Sequence, residues 1–211
     1  MSKIDYKKRL KTHFLYSWWK YALALTLSLF GVSLAFDMTA YRSPEDKKTE
    51  LYILNGYCDT EALQRDLWPL LQAECPEQEE LTSMNINLLG DDVYVRMQYM
   101  TYIAAHQGDV FLMPEAEFRN LMSEEGAEQV YVELTPYIES GIIDPGDIDL
   151  TAGYAADSNG QTGLYAIPAD SLTGFSKYLC NPEKSVLAIV SYGGNLDTAA
   201  HLIGIMLRTL R

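Results

Sequence analysis

The sequence predicts an α/β fold, a mainly parallel sheet with helices on both faces, preceded by one N-terminal transmembrane helix. Three observations support this prediction. After residue 50, apolar runs typical of buried strands alternate with amphipathic helical segments. Residues 21–36 contain no charged side chain. The length of 211 residues is sufficient for one domain with an appendage.

The N-terminal segment combines a basic end with an apolar run. Residues 1–36 contain six Lys or Arg and one acid, which gives +5, so the other 175 residues carry −18 of the formal charge of −13. Trp18 and Trp19 stand where an interfacial aromatic belt is expected, and Lys20 can extend to the membrane surface. The predicted boundaries are a basic cytoplasmic segment at 1–13, a transmembrane helix at 14–36 (Phe14 to Phe36), a linker at 37–49 and an extracytoplasmic α/β domain at 50–211.

Two alternatives to an uncleaved anchor stay open. A cleaved signal peptide would use Ser33 and Ala35 as a small-residue cleavage site, and a buried soluble helix is disfavoured by the flanking charge asymmetry. The anchor is preferred because the apolar run is long and tryptophans precede it. We therefore expect a single-pass cell-membrane protein with a cytoplasmic N-terminus. Its acidic domain would repel phosphate backbones, so no nucleic-acid partner is expected.

The three cysteines are Cys58, Cys75 and Cys180. Outside the cytoplasm an odd number leaves at least one thiol unpaired or in an intermolecular bond. A straight helix of about 16 residues would hold Cys58 and Cys75 about 24 Å apart, too far to bridge, although Pro69 could break that helix. We expect no disulfide.

The first strand and helix of the domain follow from local patterns. Residues 51–56 form an apolar run typical of a buried strand. Asp59 or Thr60 can cap the helix that follows, and Pro69 introduces a kink. The predicted apolar face of this helix is Leu63, Leu67, Leu70 and Leu71.

A second strand is predicted at residues 84–90, followed by a helix. Asp91 and Asp92 suit the positive N-terminal end of that helix. Its predicted buried stripe is Val93, Met97, Met100 and Ala104.

The stretch AAHQGDVFLMPEAEF, residues 104–118, has a structural and a chemical interpretation. In the structural one, His106 lies in the last helical turn, Gly108 follows the helix end, DVFLM is a strand and Pro114 opens the next helix. In the chemical one, His106 and Asp109 hold a metal or act in catalysis. We prefer the structural interpretation because two residues on either side of a helix end need not converge.

The second half is predicted to alternate in the same way. Strands are expected at 130–134, 164–169 and 185–192, and a Gly-, Pro- and Asp-rich excursion separates the first two. The SLTGFSKYL stretch suits a short helix. The final amphipathic helix has Asp197 near its start and a predicted face of Leu196, Ala200, Ile203, Leu207 and Leu210.

Other polar patterns have weaker chemical interpretations. Calcium could be held by the oxygen ligands of Asp144, Asp147, Asp149, Asp157 and Asn159, but their spacing does not match a calcium loop, and turn hydrogen bonding is preferred. The SYGGN stretch lacks the glycine pattern of a phosphate loop, and His201 has no accompanying nucleophile pattern. We therefore predict no catalytic residues, no metal, no cofactor and no enzyme activity.

The order of elements resembles a known family. The stretch from MQYMTYIAAHQGDVFLMPEAEF to VYVELTPYI, the GLYAIPADS strand and the VLAIVSYGGNLDTAAHLIGIMLRTL strand and helix resemble extracellular solute-binding proteins of ABC importers. The likeness covers about residues 50–211. Family members have two lobes and a lipid-anchoring cysteine. Here the run from Ile167 to Val186 leaves almost no room for a second lobe, so the resemblance implies one reduced, membrane-anchored lobe.

This resemblance implies a non-enzymatic domain that senses or presents a small solute, or docks onto a membrane-protein complex. The alternative is a structural or assembly protein of the cell envelope that acts through protein–protein contacts. A ligand would bind at the carboxyl ends of the strands. The ligand-binding residues predicted there are Asn55, Gly56, Tyr57, Gly90, Asp91, Pro114, Glu115, Ser191, Tyr192 and Asn195.

Overall fold

The structure is a computed structural model that describes residues 3–39, 47–54, 56–75, 81–90, 94–123, 129–156 and 160–211. The chain divides into two compact units, Met1–Arg42 and Ser43–Arg211. In the first, the described residues form the helix α1 (Lys3–Thr39). Within it, Leu15–Phe36 is long and apolar enough to cross a membrane, since its 22 residues span about 33 Å.

The second unit is built on a five-stranded mixed sheet in the order β2-β1-β3-β7-β6, beside a two-stranded ribbon of β4 and β5. β1 pairs in parallel with β2 and β3, whereas β7 is antiparallel to both β3 and β6. Four strands therefore point one way, as a mainly parallel sheet requires, and β7 is reversed. The strands are β1 (Lys48–Leu54), β2 (Ser83–Leu89), β3 (Val110–Pro114), β4 (Tyr154–Ala156), β5 (Thr162–Leu164), β6 (Ala166–Pro168) and β7 (Ser185–Ile189).

Helices cover both faces of the sheet, as the sequence predicts. On one face, α2 (Thr60–Glu74) and α6 (Leu196–Thr209) pack in a mostly aliphatic cluster. On the other, α3 (Val95–Ala104) and α4 (Glu115–Met122) pack in a cluster rich in aromatic rings. Alternate residues of β1 pack in the two clusters because successive side chains of a strand point to opposite faces.

Polar caps begin the two helices of the aliphatic face. The Asp59 carboxylate accepts a hydrogen bond from the Ala62 amide at 3.1 Å and starts α2, as predicted. The Asn195 side chain accepts one from the Thr198 amide at 3.1 Å and starts α6. Such a cap contributes about 1 kcal/mol by satisfying an otherwise unpaired N–H.

The strand predicted at 130–134 is wrong. This stretch makes a single antiparallel bridge, between Tyr131 and Val190. Its backbone then turns away, since the Leu134 amide donates to the Leu164 carbonyl at 2.7 Å, and α5 (Thr135–Glu139) follows at once. An apolar run therefore has its side chains buried here without a strand ladder.

The buried stripe predicted for α3 is also wrong. The buried residues of α3 are Val95, Tyr99 and Ile103, whereas Met97 is 67% exposed. Tyr99 can occupy the core because its hydroxyl shares a hydrogen bond with that of Tyr131. Asp91, Asp92 and Val93 lie outside the described residues.

The end of α3 is made by His106 rather than by Gly108. His106 has a φ of 54°, and its amide donates to the Ile103 carbonyl while the Gln107 amide donates to the Tyr102 carbonyl. These two bonds form a Schellman motif, which normally has glycine at the left-handed position. Part of the cost of placing histidine there is offset by ring stacking, since the imidazole lies 4.8 Å from the Tyr192 ring.

Candidate functional site

The reversed strand β7 decides which predicted site residues lie together. We call the carboxyl edge the side of the sheet where β1, β2, β3 and β6 end, and the amino edge the opposite side. Pro114 at the end of β3 pairs with Ser185 at the start of β7, and Val110 pairs with Ile189 at its end. Residues after β7 therefore lie at the amino edge.

The residues predicted to form one site consequently divide into two groups. Gly56, Tyr57, Gly90, Pro114 and Glu115 follow or end strands at the carboxyl edge. The separate group of Ser191, Tyr192 and Asn195 lies at the amino edge. Asn55 and Asp91 lie outside the described residues. The prediction that all of them converge assumed that the strand before Ser191 runs parallel to its neighbours.

A pocket of about 430 Å³ lies at the carboxyl edge. Its volume falls in the range of small-molecule sites, about 300 to 1,000 Å³. It lies between the end of β3 with the start of α4 and the residues that follow β6. The residues that line it are Glu115, Arg119, Asp147, Ile148, Asp149, Thr151, Ala152, Pro168, Asp170 and Ser171.

One wall of the pocket is fixed by the turn that precedes β7. The Glu115 amide donates to the Lys184 carbonyl at 2.8 Å, and the Lys184 amide donates to the Asp170 carboxylate. The Glu115 carboxylate also accepts from the Arg119 Nε at 2.6 Å, one helical turn along α4. The ends of β3 and β6 are thereby held on either side of β7.

The opposite wall is formed by residues 147–152, where a loop leads into the 3-10 helix Leu150–Gly153. The Asp149 carboxylate accepts from the Thr151 amide at 3.0 Å and from the Thr151 hydroxyl, and these bonds lower the pKa of Asp149. The Arg211 guanidinium bonds the Asp147 carboxylate and the Pro145 carbonyl. Arg211 therefore anchors this loop.

Gly153 lets that loop lie against the sheet. A Cβ built at this position would be 1.8 Å from the Ala166 carbonyl oxygen of β6. The Gly153 carbonyl in turn accepts from the Tyr165 amide at 3.0 Å. Only glycine permits so close a backbone approach, so the shape of the pocket depends on this residue.

The chemistry of the pocket is hydrogen-bond acceptance. Four carboxylates and one guanidinium line it, together with the hydroxyls of Thr151 and Ser171. An ionised carboxylate has about four acceptor positions, so each one keeps acceptor capacity beyond its present partner. Within the described residues, no group of three or more His, Cys, Asp or Glu is arranged to hold a metal ion. The pocket therefore suits a small polar molecule with several N–H or O–H donors.

The amino edge is closed around Asp109. This carboxylate is 5% exposed and accepts the Glu50 amide at 2.8 Å and the Gly194 amide, which ties β1 to the loop before α6. Burial raises the pKa of Asp109 to about 6. His106 stacks on Tyr192, while Asp109 bonds backbone amides, so the two residues have separate structural contacts.

Solute-binding proteins are among the solved structures with partial similarity to the chain. They include a family 1 protein from Alicyclobacillus acidocaldarius, with 17% identity and a TM-score of 0.40 over 57% of this chain and 27% of that one. Maltose-bound MalE3 of T. maritima has 21% identity and a TM-score of 0.35 over 57% of this chain and 28% of that one. The N-glycan transport solute-binding protein of Streptococcus pneumoniae, in complex with Man1GlcNAc, has 16% identity and a TM-score of 0.35 over 57% and 24%.

The chain thus spans only about a quarter of the length of these proteins. A likeness at this level concerns part of the fold and does not extend to a ligand. No protein family and no curated protein matches the sequence.

Several residues that line the pocket are not among those predicted from the sequence. Asp170 and Ser171 follow β6, and the rule that placed the site at strand ends could have selected them had it been applied to this strand. No sequence pattern marks Arg119 as a site residue, and only its place in α4 could be predicted. Asp147 and Asp149 are predicted from the sequence as turn residues in preference to calcium ligands, and not as part of a pocket.

A second pocket, of about 360 Å³, lies between α2 and the edge strand β2, away from the carboxyl edge. It is lined by Glu61, Gln64, Arg65, Trp68, Thr82, Ser83, Met84 and Asn85.

Proposed function

We propose that the chain is a membrane-anchored, non-enzymatic binding domain that takes a small polar solute at the carboxyl edge of its sheet. The N-terminal helix would cross the cell membrane with its basic end in the cytoplasm. The α/β unit would then face the outside, where it senses the solute or presents it to a membrane-protein partner.

The observation that carries this proposal is the pocket of about 430 Å³ at the carboxyl edge. Open α/β sheets bind ligands at this edge because the loops that follow parallel strands converge there. Glu115 belongs both to this pocket and to the residues selected from the sequence. The reduced size of the domain suits an open site on one lobe, with all contacts supplied by a single sheet edge.

The pocket chemistry narrows the solute class. Its carboxylates favour a ligand with amine or hydroxyl donors over an anion, since an anion would meet four negative charges and one guanidinium. Sugars, polyols and small amines are the classes to test.

The test uses the full chain in detergent micelles and a thermal-shift screen. The panel contains mono- and disaccharides, polyols, amino acids and di- and polyamines at millimolar concentration, with isothermal titration calorimetry on every hit. We expect saturable stabilisation by at least one member of these classes. The absence of any shift across the panel would contradict the small-solute proposal.

A pocket-filling variant localises the binding. Ala152→Phe places a ring among the pocket residues and should abolish the shift. The control is Ala116→Phe, at an exposed position of α4 beside Glu115 that does not line the pocket. Loss of binding in both variants, or in neither, would argue against this pocket.

A further inference from the structure

Cys58 and Cys180 meet inside the aliphatic cluster. Cys58 lies in the turn between β1 and α2, and Cys180 follows the 3-10 helix Thr173–Tyr178 in the β6–β7 connection. Both are free thiols in the structure, with side chains that are 6% and 5% exposed, and they lie close enough to influence each other's pKa. The fold thus brings together two thiols that are far apart in the sequence.

The backbone around the pair holds this contact. The Asp59 amide donates to the Tyr178 carbonyl at 2.7 Å, which joins the two segments beside the cysteines. Leu179 takes a left-handed φ of 58°, and the Cys180 amide donates back to the Phe175 carbonyl at 3.1 Å. The chain therefore reverses at Leu179 and directs Cys180 into the core.

Side chains fix the same junction from outside. The Asp66 carboxylate of α2 accepts from the Tyr178 hydroxyl at 2.9 Å and from the Lys177 ammonium at 2.7 Å. Because these contacts join α2 to the 3-10 helix next to both cysteines, the proximity of Cys58 and Cys180 belongs to the packed fold.

We propose that Cys58 and Cys180 form an intramolecular disulfide that joins the β1–α2 turn to the β6–β7 connection. Cys75 remains a thiol, because it lies at the far end of α2, about 22 Å of helix from the start of that element. Its thiol contacts Thr198 of α6 rather than another cysteine.

The step is a thiol–disulfide exchange with a disulfide of the oxidoreductase class or with oxidised glutathione. Proximity to the Cys58 thiol lowers the pKa of Cys180, which favours Cys180 as the attacking thiolate. The Cys180 thiolate attacks the donor disulfide and releases one donor thiolate. The Cys58 thiolate then attacks the Cys180 sulfur of the mixed disulfide and releases the second. Two electrons and two protons pass to the donor, which leaves as two thiols.

The proposed disulfide would also restrain one wall of the candidate pocket. The β6–β7 connection also carries Asp170 and Ser171, so the disulfide fixes one pocket wall to the turn after β1. The inference rests on the proposed extracytoplasmic placement only for its oxidant in the cell, since oxidising compartments favour disulfides. The pairing itself can be measured without any assumption about location.

The test uses the full chain in detergent, equilibrated in glutathione buffers from reducing to oxidising. Samples are quenched with acid, denatured, alkylated and analysed by intact mass and peptide mapping. We expect one alkylated cysteine, Cys75, after oxidation and three after reduction. Cys75→Ser should have none after oxidation, whereas Cys58→Ser and Cys180→Ser should each keep two. Oxidation should raise the thermal midpoint of Cys75→Ser by about 10 °C and leave that of Cys58→Ser unchanged.

Two outcomes overturn the pairing: three alkylated cysteines in every buffer, or a linked peptide that joins Cys58 to Cys75. A second arm traps thiols with acid in cells that express the chain. A Cys58–Cys180 crosslink there supports both the pairing and the extracytoplasmic placement. If it forms in buffer while the cellular protein keeps three thiols, the pairing stands and the placement is overturned.

Discussion

Acidic side chains at the two edges of the sheet have different roles. At the amino edge, Asp109 is buried and its carboxylate is consumed by the backbone amides of Glu50 and Gly194. At the carboxyl edge, Glu115 and Asp149 stay accessible and are each held by a short local contact. The carboxyl group at the amino edge is therefore committed to backbone contacts within the fold, whereas carboxylates at the carboxyl edge remain available to a ligand.

The reversal of β7 produces this difference. The residues that follow it, Val190 to Gly193, pass over the amino edge and cover Asp109, since the Val190 amide donates to the Asp109 carbonyl at 3.0 Å. At the other edge the chain enters β7 through a tight turn at Lys184, and the residues that follow β3 and β6, Glu115 and Asp170, remain at the surface. The reversed direction of β7 therefore places covering residues at the amino edge and leaves the carboxyl edge open.

The largest expected effect comes from forcing the pocket wall away from the sheet. Gly153→Ala places a methyl group onto the Ala166 carbonyl oxygen, so we expect a loss of about 4 kcal/mol or more in the free energy of unfolding. Chemical denaturation in detergent measures it. The control is Gly56→Ala at the same edge, where a Cβ meets no atom within 4 Å and the cost should be about 0.5 kcal/mol or less. Equal losses in the two variants would show that the close approach at Gly153 is not needed.

A second test uses the pH dependence of the buried carboxylate. Because the pKa of Asp109 is about 6 in the folded chain and 3.8 ordinarily, the folded chain binds this proton more tightly than the unfolded chain. The stabilising contribution of protonated Asp109 is therefore complete below about pH 4 and is lost as the pH rises through 6. The stability of the wild type relative to Asp109→Asn should fall by about 3 kcal/mol over that range.

Denaturation curves at several pH values for both proteins give this difference, and the other carboxylates cancel in it. Asp149→Asn, at the open edge, serves as the control. Its relative stability should move the other way with pH, since hydrogen bonds lower the pKa of Asp149. A wild-type to Asp109→Asn difference that is flat with pH would mean that Asp109 is not desolvated in solution.

The smallest effect is expected at the rim of the pocket. The Arg119–Glu115 pair is 49% and 33% exposed, so Arg119→Ala should change the free energy of unfolding by only about 0.5 kcal/mol. The same variant makes the pocket more acidic and should strengthen binding of an amine ligand relative to a neutral one. Denaturation measures the change in the free energy of unfolding, and calorimetry measures the change in amine binding. A loss well above 1 kcal/mol, taking about 1 as the upper value for exposed pairs, would place Arg119 in the fold rather than at the site.

Local patterns in the sequence predicted most elements because they depend on neighbouring residues alone. The Asp59 cap, the β3 strand and the final helix all follow from short-range spacing. The direction of β7 could not be predicted in this way, since a buried apolar run is equally suited to either direction. The α3 face was misassigned because the burial of Tyr99 depends on its hydroxyl partner Tyr131, which lies 32 residues further along the chain.

The rule that ligands bind at the carboxyl ends of strands predicted the edge of the sheet where the candidate site lies, but not most of the residues that line it. The strand-end rule selected Glu115, but it also selected Ser191, Tyr192 and Asn195, which the reversed strand places at the other edge. Asp170 and Ser171 become neighbours of Glu115 only through the pairing of β6 and β3 with β7. The meeting of Cys58 and Cys180 likewise depends on tertiary contacts that no sequence spacing reveals.

The β6–β7 connection has a further consequence for how this chain can be enlarged. The two strands are adjacent and antiparallel, and the Ala169 amide donates to the Ser185 carbonyl at 2.8 Å, so the connection leaves and rejoins the sheet at nearly one point. A folded module whose own termini are close together could be grafted between these residues without displacing either strand. Because Leu172, Phe175 and Tyr178 of the connection are buried in the aliphatic cluster, such a module would have to extend the connection rather than replace it.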